Sequence, residues 1–192
     1  MKSTVAFALV ALLAACAQLP SLSVTRQQDL AALPQPEHFR LDGRLSVRAE
    51  ARAFSGGLNW LRAVGDERIV LSTPLGQAVA EIRRESEGLR LTDAEGHSQL
   101  AQSGEALLER ALGIGLPADS LRHWAVARPH PASPFSAELD TSGRVMRLSQ
   151  DGWRIEYGRY RQAGTIWLPG RLFARQGEAV ELRLVVDAWV LP

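Results

Sequence analysis

The sequence predicts a mainly β chain, an antiparallel meander of about eleven strands that curls into a barrel or half-barrel with helices across its opening. Three observations carry this. Apolar and polar residues alternate with a period of two over most of the chain after His38. Turn signals recur between these runs, at Pro74–Gly76, Asp93–Gly96, Asp151-Gly152 and Gln176-Gly177. Past the first helix, only the stretch from Ser103 to Ala127 leaves that period for a helical one. A meander of this size curls, because open twisted sheets of more than ~10 strands seldom stay flat.

Thr25 to Leu33 reads as a short helix, with Thr25 as its cap and Pro34 as its stop. Phe39, Leu41, Leu45 and Val47 then alternate with Arg40, Asp42, Arg44, Ser46 and Arg48. The next strand runs from Phe54 to Trp60 with Leu58 and Trp60 on one face. Gly56-Gly57 inside it is a signal for a bulge or sharp bend. Ile69–Ser72 and Gln77–Arg84 form a hairpin joined through Thr73-Pro-Leu-Gly76. Pro74 presets the backbone for position i+1 of a type I turn, which places Leu75 at i+2 and Gly76 at i+3. Hairpin tips are normally polar; this one presents a leucine. Leu89–Thr92 and Ser98–Ala101 follow.

Ser103 caps a helix over 103–112, which ends at Gly113 and carries Leu107, Leu108, Ala111 and Leu112 at helical spacing. Pro117 opens a second over 117–127 at its first position, containing Leu121, Trp124 and Ala125. Strands resume at Phe135–Asp140 and Arg144–Gln150. Trp153, Ile155 and Tyr157 then share one face. Leu168-Pro-Gly170 breaks the chain, and Arg171–Arg175 and Val180–Val190 finish it, with Leu182 and Leu184 inward. Barrels of this size can enclose an apolar ligand.

Ahead of this domain, Met1-Lys2 and an apolar run from Val5 to Ala15 describe a secretory signal too short to span a bilayer of ~30 Å. Leu13-Ala-Ala-Cys16 resembles a bacterial lipobox, which is cut before a cysteine that becomes lipid-modified. Cys16 is the only cysteine, so it implies an acyl anchor and neither a disulfide nor a catalytic thiol. The organisation is then 1–15 as a lipoprotein signal peptide, 16–24 as a lipidated tether and 25–192 as one domain. By the sorting rule that comes with the lipobox, Ala17 in place of an aspartate directs the protein to the outer membrane.

Lys2 is the sole lysine, so without residues 1–15 arginines and acids are equal in number and the chain is formally neutral. A neutral chain has no general attraction for nucleic acid. His38, His97, His123 and His130 lie in different segments without metal-ligand spacing. His123 reads as an exposed helix residue beside a core tryptophan. Ser98 beside His97 lacks the nucleophile elbow, and no nucleotide loop is present. The sequence therefore points to a non-enzyme with no cofactor and no metal.

Leu41-Asp-Gly-Arg44, Trp60, Thr73-Pro-Leu-Gly76, Leu116-Pro117, Leu121-Arg-His-Trp124, Gln150-Asp-Gly-Trp153, Tyr157, Leu168-Pro169 and Trp189, in this order behind a lipobox, resemble the LolB family of outer-membrane lipoprotein receptors. The resemblance covers nearly the whole chain after the signal. It implies an incompletely closed barrel of eleven strands with a helical lid over a hydrophobic cavity. It implies acceptance of lipoproteins from the soluble periplasmic carrier LolA and their insertion into the inner leaflet of the outer membrane, by a monomer anchored at Cys16. It makes Pro74, Leu75 and Gly76 a membrane-insertion loop. The cavity it implies is assigned to Leu45, Val47, Leu58, Trp60, Ile69, Leu71, Leu108, Trp124, Ile155, Tyr157, Leu182 and Leu184. The alternative on the same fold is a carrier of other lipids or amphiphiles.

Overall fold

The computed structural model describes residues 22–24 (backbone only), Leu30, 36–101 and 103–192. The signal segment 1–15, Cys16 and the helix over 25–33 lie outside the described residues, apart from Leu30, which is helical and buried.

The described residues form β1 (Leu22–Val24), β2 (Phe39–Ala49), β3 (Arg52–Ala63), β4 (Asp66–Ser72), β5 (Ala78–Glu85), β6 (Gly88–Asp93) and β7 (Ser98–Ala101). Helices α1 (Gly104–Leu112) and α2 (Ala118–Trp124) come next. The chain ends with β8 (Phe135–Leu139), β9 (Val145–Gln150), β10 (Trp153–Gly158), β11 (Arg161–Ala163), β12 (Ile166–Leu168), β13 (Arg171–Gln176) and β14 (Val180–Val190). Twelve of the strands make one antiparallel sheet in the order β1-β8-β9-β10-β13-β14-β2-β3-β4-β5-β6-β7. The edges β1 and β7 do not pair with each other, so the sheet is not closed. Without the three-residue β1, the strand count is the eleven that the alternation predicts.

Two meanders, β2 to β7 and β8 to β14, are joined where β14 pairs with β2. The only link between β7 and β8, which lie near opposite edges, is the segment holding both helices. Residues of both helices, Gly104, Leu108, Leu121 and Arg122 among them, pack over the inward face of the sheet beside Leu58, Ile69 and Leu182. Their ends follow the sequence. The Ser103 hydroxyl accepts from the Ala106 amide, and Gly113 takes the left-handed conformation (φ 68°) that ends α1. Pro117 is the cap residue before α2 and not its first helical residue, and α2 stops at Trp124, followed by turns over 125–127.

Three further expectations are corrected. The tether over 16–24 is not all linker, because Leu22–Val24 pairs with β8 as an edge strand. The break around Leu168 hides a small hairpin of β11 and β12, whose three-residue strands are too short to show a period. Gly56-Gly57 makes no bulge, since β2 and β3 pair without a register shift from Phe39↔Arg62 to Ala49↔Arg52. Shifts occur elsewhere, at Leu71/Ser72, Glu138/Leu139 and Val186/Ala188. The glycines serve close approach instead: a Cβ on Gly56 would collide with the backbone carbonyl of Ser72, whereas one on Gly57 would meet only the Ser72 side chain. Gly56→Ala is therefore expected to destabilise by about 1–3 kcal/mol and Gly57→Ala by clearly less, read from the denaturant midpoints. Equal midpoints would contradict this.

Candidate functional site

The hairpin tip between β4 and β5 forms as the turn chemistry requires. The Gly76 amide donates to the Thr73 carbonyl at 2.9 Å, and the Thr73 amide donates to the Gln77 carbonyl at 2.8 Å. The Thr73 hydroxyl accepts from the Gln77 amide at 3.2 Å. Gly76 sits at φ 88°, where a side chain would be strained. These bonds hold the loop without help from Leu75, whose side chain is 92 % exposed. An apolar residue is thus presented to solvent on a hydrogen-bonded mount.

Beneath the helices lies a cavity of about 90 Å³ with an almost wholly apolar wall. It takes residues from β2 to β6, β13, β14 and both helices, so one half of the sheet wraps around it. Of the residues chosen from the sequence, Leu45, Leu58, Trp60, Ile69, Leu71, Leu108, Leu182 and Leu184 line it together. Val47, Trp124, Ile155 and Tyr157 do not. All four are buried in the core. Trp124 and Trp153 pack with ring centroids 5.6 Å apart and, with Ile155, fill the other half of the sheet. The Tyr157 hydroxyl has no hydrogen-bond partner among the described residues, and burial pushes its pKa well up. Ile82, Leu89, Leu116, Leu121 and Leu172 also line the cavity; of these only Leu121 is marked by helical spacing, and Leu116 lies in the loop between the helices, where neither period applies.

Three charged residues join this wall: Glu67, Asp119 and Arg122. Glu67 on β4 is only 7 % exposed. Its carboxylate accepts from the Trp60 indole at 3.2 Å and from the Arg84 guanidinium at 3.0 and 3.2 Å. From α2, Arg122 reaches it through Nε at 3.2 Å and Nη2 at 3.0 Å. A buried carboxylate so surrounded by donors keeps its charge satisfied. Sequence alternation hides it, because a lone Glu among outward charges carries no signal.

On the far side, Gln150 on β9 is 3 % exposed and uses both ends of its amide. Oε1 accepts from the Trp124 indole at 2.9 Å and the His130 amide at 2.8 Å. Nε2 donates to the carbonyls of His130 at 2.8 Å and Ser133 at 3.0 Å. One side chain thus ties α2 and the loop after it to the sheet. His123, expected to be exposed, is instead partly buried and packs edge-on against His130 at 5.2 Å. Burial pushes its pKa down, helped by the nearby charges of His130, Arg62 and Arg122.

The β6–β7 turn brings Asp93, Glu95 and His97 together, their ligand atoms within 4.8 Å of one another. The Asp93 carboxylate accepts from the Glu95 and His97 amides at 3.1 and 2.8 Å and contacts the His97 ring at 3.2 Å. This is a hydrogen-bonded Asx turn.

The family described as outer membrane lipoprotein LolB matches residues 37–189. The chain belongs to the LolB family. That match runs from just before β2 into β14, so every residue lining the cavity, and Leu75, falls inside it. Among curated relatives, the outer-membrane lipoprotein LolB of Nitrosococcus oceani is 36 % identical, with 94 % of this chain and 92 % of that one covered. The LolB of Pseudomonas aeruginosa PAO1 is also 36 % identical, over 94 % of this chain and 91 % of that one. The LolB of Nitrosomonas europaea is 38 % identical, over 86 % and 77 % respectively. Solved structures at low identity share the fold. A DUF1329 family protein from Desulfovibrio piger has a TM-score of 0.60 at 7 % identity, covering 86 % of this chain and 90 % of that one.

Proposed function

We propose that this LolB-family lipoprotein is a receptor that takes lipoproteins from a LolA-like carrier and inserts them into the inner leaflet of the outer membrane. The observation that carries this reading is the apolar cavity beneath α1 and α2. No nucleotide loop is present in the sequence, so transfer runs downhill. Each acyl methylene moved into an apolar site contributes about 0.8 kcal/mol, so a cavity that contacts more of the chain than the carrier does draws cargo forward. Release then needs a state that the bilayer favours. Leu75, presented on its rigid mount, is the group that senses the bilayer, and Cys16 with its acyl chains keeps the protein at the periplasmic face of that membrane. The protein acts as a monomer and as a binding protein, not as an enzyme.

The test mixes residues 16–192 carrying Cys16→Ala with a LolA-type carrier loaded with a labelled lipoprotein. The label is expected to move onto this chain. A label that stays on the carrier while free fatty acid or phospholipid binds to this chain would instead establish the amphiphile-carrier reading.

A further inference from the structure

The wall of the cavity is apolar except at one corner, where Glu67, Asp119 and Arg122 join it. Their exposure rises in steps. Glu67 is buried, the Arg122 side chain is 22 % exposed and that of Asp119 is 73 % exposed. This corner is therefore where the cavity meets water. We propose that it is a polar subsite, in which Arg122 donates to the ester carbonyl oxygens at the head of the cargo lipid while the acyl chains lie against the apolar wall. This inference rests on the receptor reading above and assigns the head of the cargo to one corner of the same site.

Arg122 has donors to spare. Its Nε and Nη2 reach the Glu67 carboxylate at 3.2 and 3.0 Å, and Nη2 lies 3.8 Å from Asp119. Its Nη1 makes no hydrogen bond among the described residues and remains accessible to solvent. Glu67 is held in turn by Arg84 at 3.0 Å and by the Trp60 indole at 3.2 Å, so the Arg122 guanidinium is fixed before any ligand arrives. Glu67 is then a positioning residue. Two guanidinium groups on one carboxylate leave the corner positive, and Asp119 is too exposed to offset much of that charge.

A pin between α2 and the sheet would need only the two bonds to Glu67; it has no use for a free Nη1. The apolar wall cannot orient a chain, because hydrophobic burial is non-directional. A few placed polar groups do that in apolar ligand pockets. The cargo offers the matching chemistry. Acyl chains esterified to glycerol end in carbonyl oxygens, which only accept, and a guanidinium only donates.

The test uses residues 16–192 with Cys16→Ala and two synthetic lipopeptides that differ only in the glyceryl linkage, ester in one and ether in the other. The ether keeps the chains and lacks the carbonyl oxygens. The parent is expected to bind the ester about tenfold more tightly, the scale of a hydrogen bond to a charged group, and Arg122→Leu to bind the two equally. Binding of diphenylhexatriene, a hydrocarbon without acceptors, should be the same in both proteins, which separates lost recognition from lost folding. The comparison in the parent needs no variant. Equal binding of ester and ether by a parent that still takes labelled lipoprotein from the carrier would overturn the subsite and leave the receptor reading standing. An ester preference that survives Arg122→Leu would overturn it as well. A label that stays on the carrier, with an ester preference that depends on Arg122, would keep the subsite, assign it to the same esters in phospholipid and remove the receptor reading.

Discussion

Leu75→Glu is expected to leave the unfolding midpoint and lipoprotein uptake unchanged and to cut delivery into vesicles by more than tenfold. Stability should not move because the turn is held by backbone bonds and by Thr73, while the leucine side chain is 92 % exposed. Burial of one leucine contributes about 1.5–3 kcal/mol, which corresponds to roughly 10- to 150-fold in the population of a bilayer-engaged state. A carboxylate at the same position adds a desolvation cost in the opposite direction. The measurement is the rate at which labelled lipoprotein leaves the receptor for vesicles, with uptake from the carrier followed separately. Normal delivery by Leu75→Glu would remove the loop from the mechanism. Reduced uptake would place Leu75 in carrier contact instead.

Gln150→Leu should be the most damaging change of similar side-chain size near the site. It removes four hydrogen bonds, one from the fully buried Trp124 indole and three with the half-buried backbone of His130 and Ser133. At about 1–3 kcal/mol for each unsatisfied group, and with incomplete additivity, the expected loss is about 3–4 kcal/mol. For a domain of this size that lowers the unfolding midpoint by about 10 °C. Thermal unfolding followed by circular dichroism measures it. A loss under about 1 kcal/mol would show that water replaces the amide at no great cost.

The inward face of this sheet is legible in the sequence because its residues alternate strictly: Phe39, Leu41, Leu45 and Val47 on β2, and Trp153, Ile155 and Tyr157 on β10, are all buried. What alternation does not tell is what lies opposite a residue. Leu45 and Ile155 follow the same pattern, yet one faces a void and the other faces packed core. The difference is made by Trp124 and Trp153, which meet across a long sequence distance and fill one half of the sheet. Glu67 was illegible for a related reason. Its partners come from β3, β5 and α2, and nothing near it in sequence announces a buried carboxylate. Leu75 was the opposite case. The turn is local, and proline, leucine and glycine in consecutive places define both the bend and the oddity at its tip.

Acyl chains are expected to occupy the space between the two helices and strands β2 to β6, β13 and β14. Photoreactive leucine analogues placed singly at Leu58, Leu182 and Ile155, in receptor loaded with labelled lipoprotein, test it most directly. Cross-links to the acyl label at 58 and 182 but not at 155 are the predicted result, since the first two line the cavity and the third does not. Equal labelling at 155, or labelling at none of the three while cargo is bound, would place the acyl chains elsewhere and contradict the account.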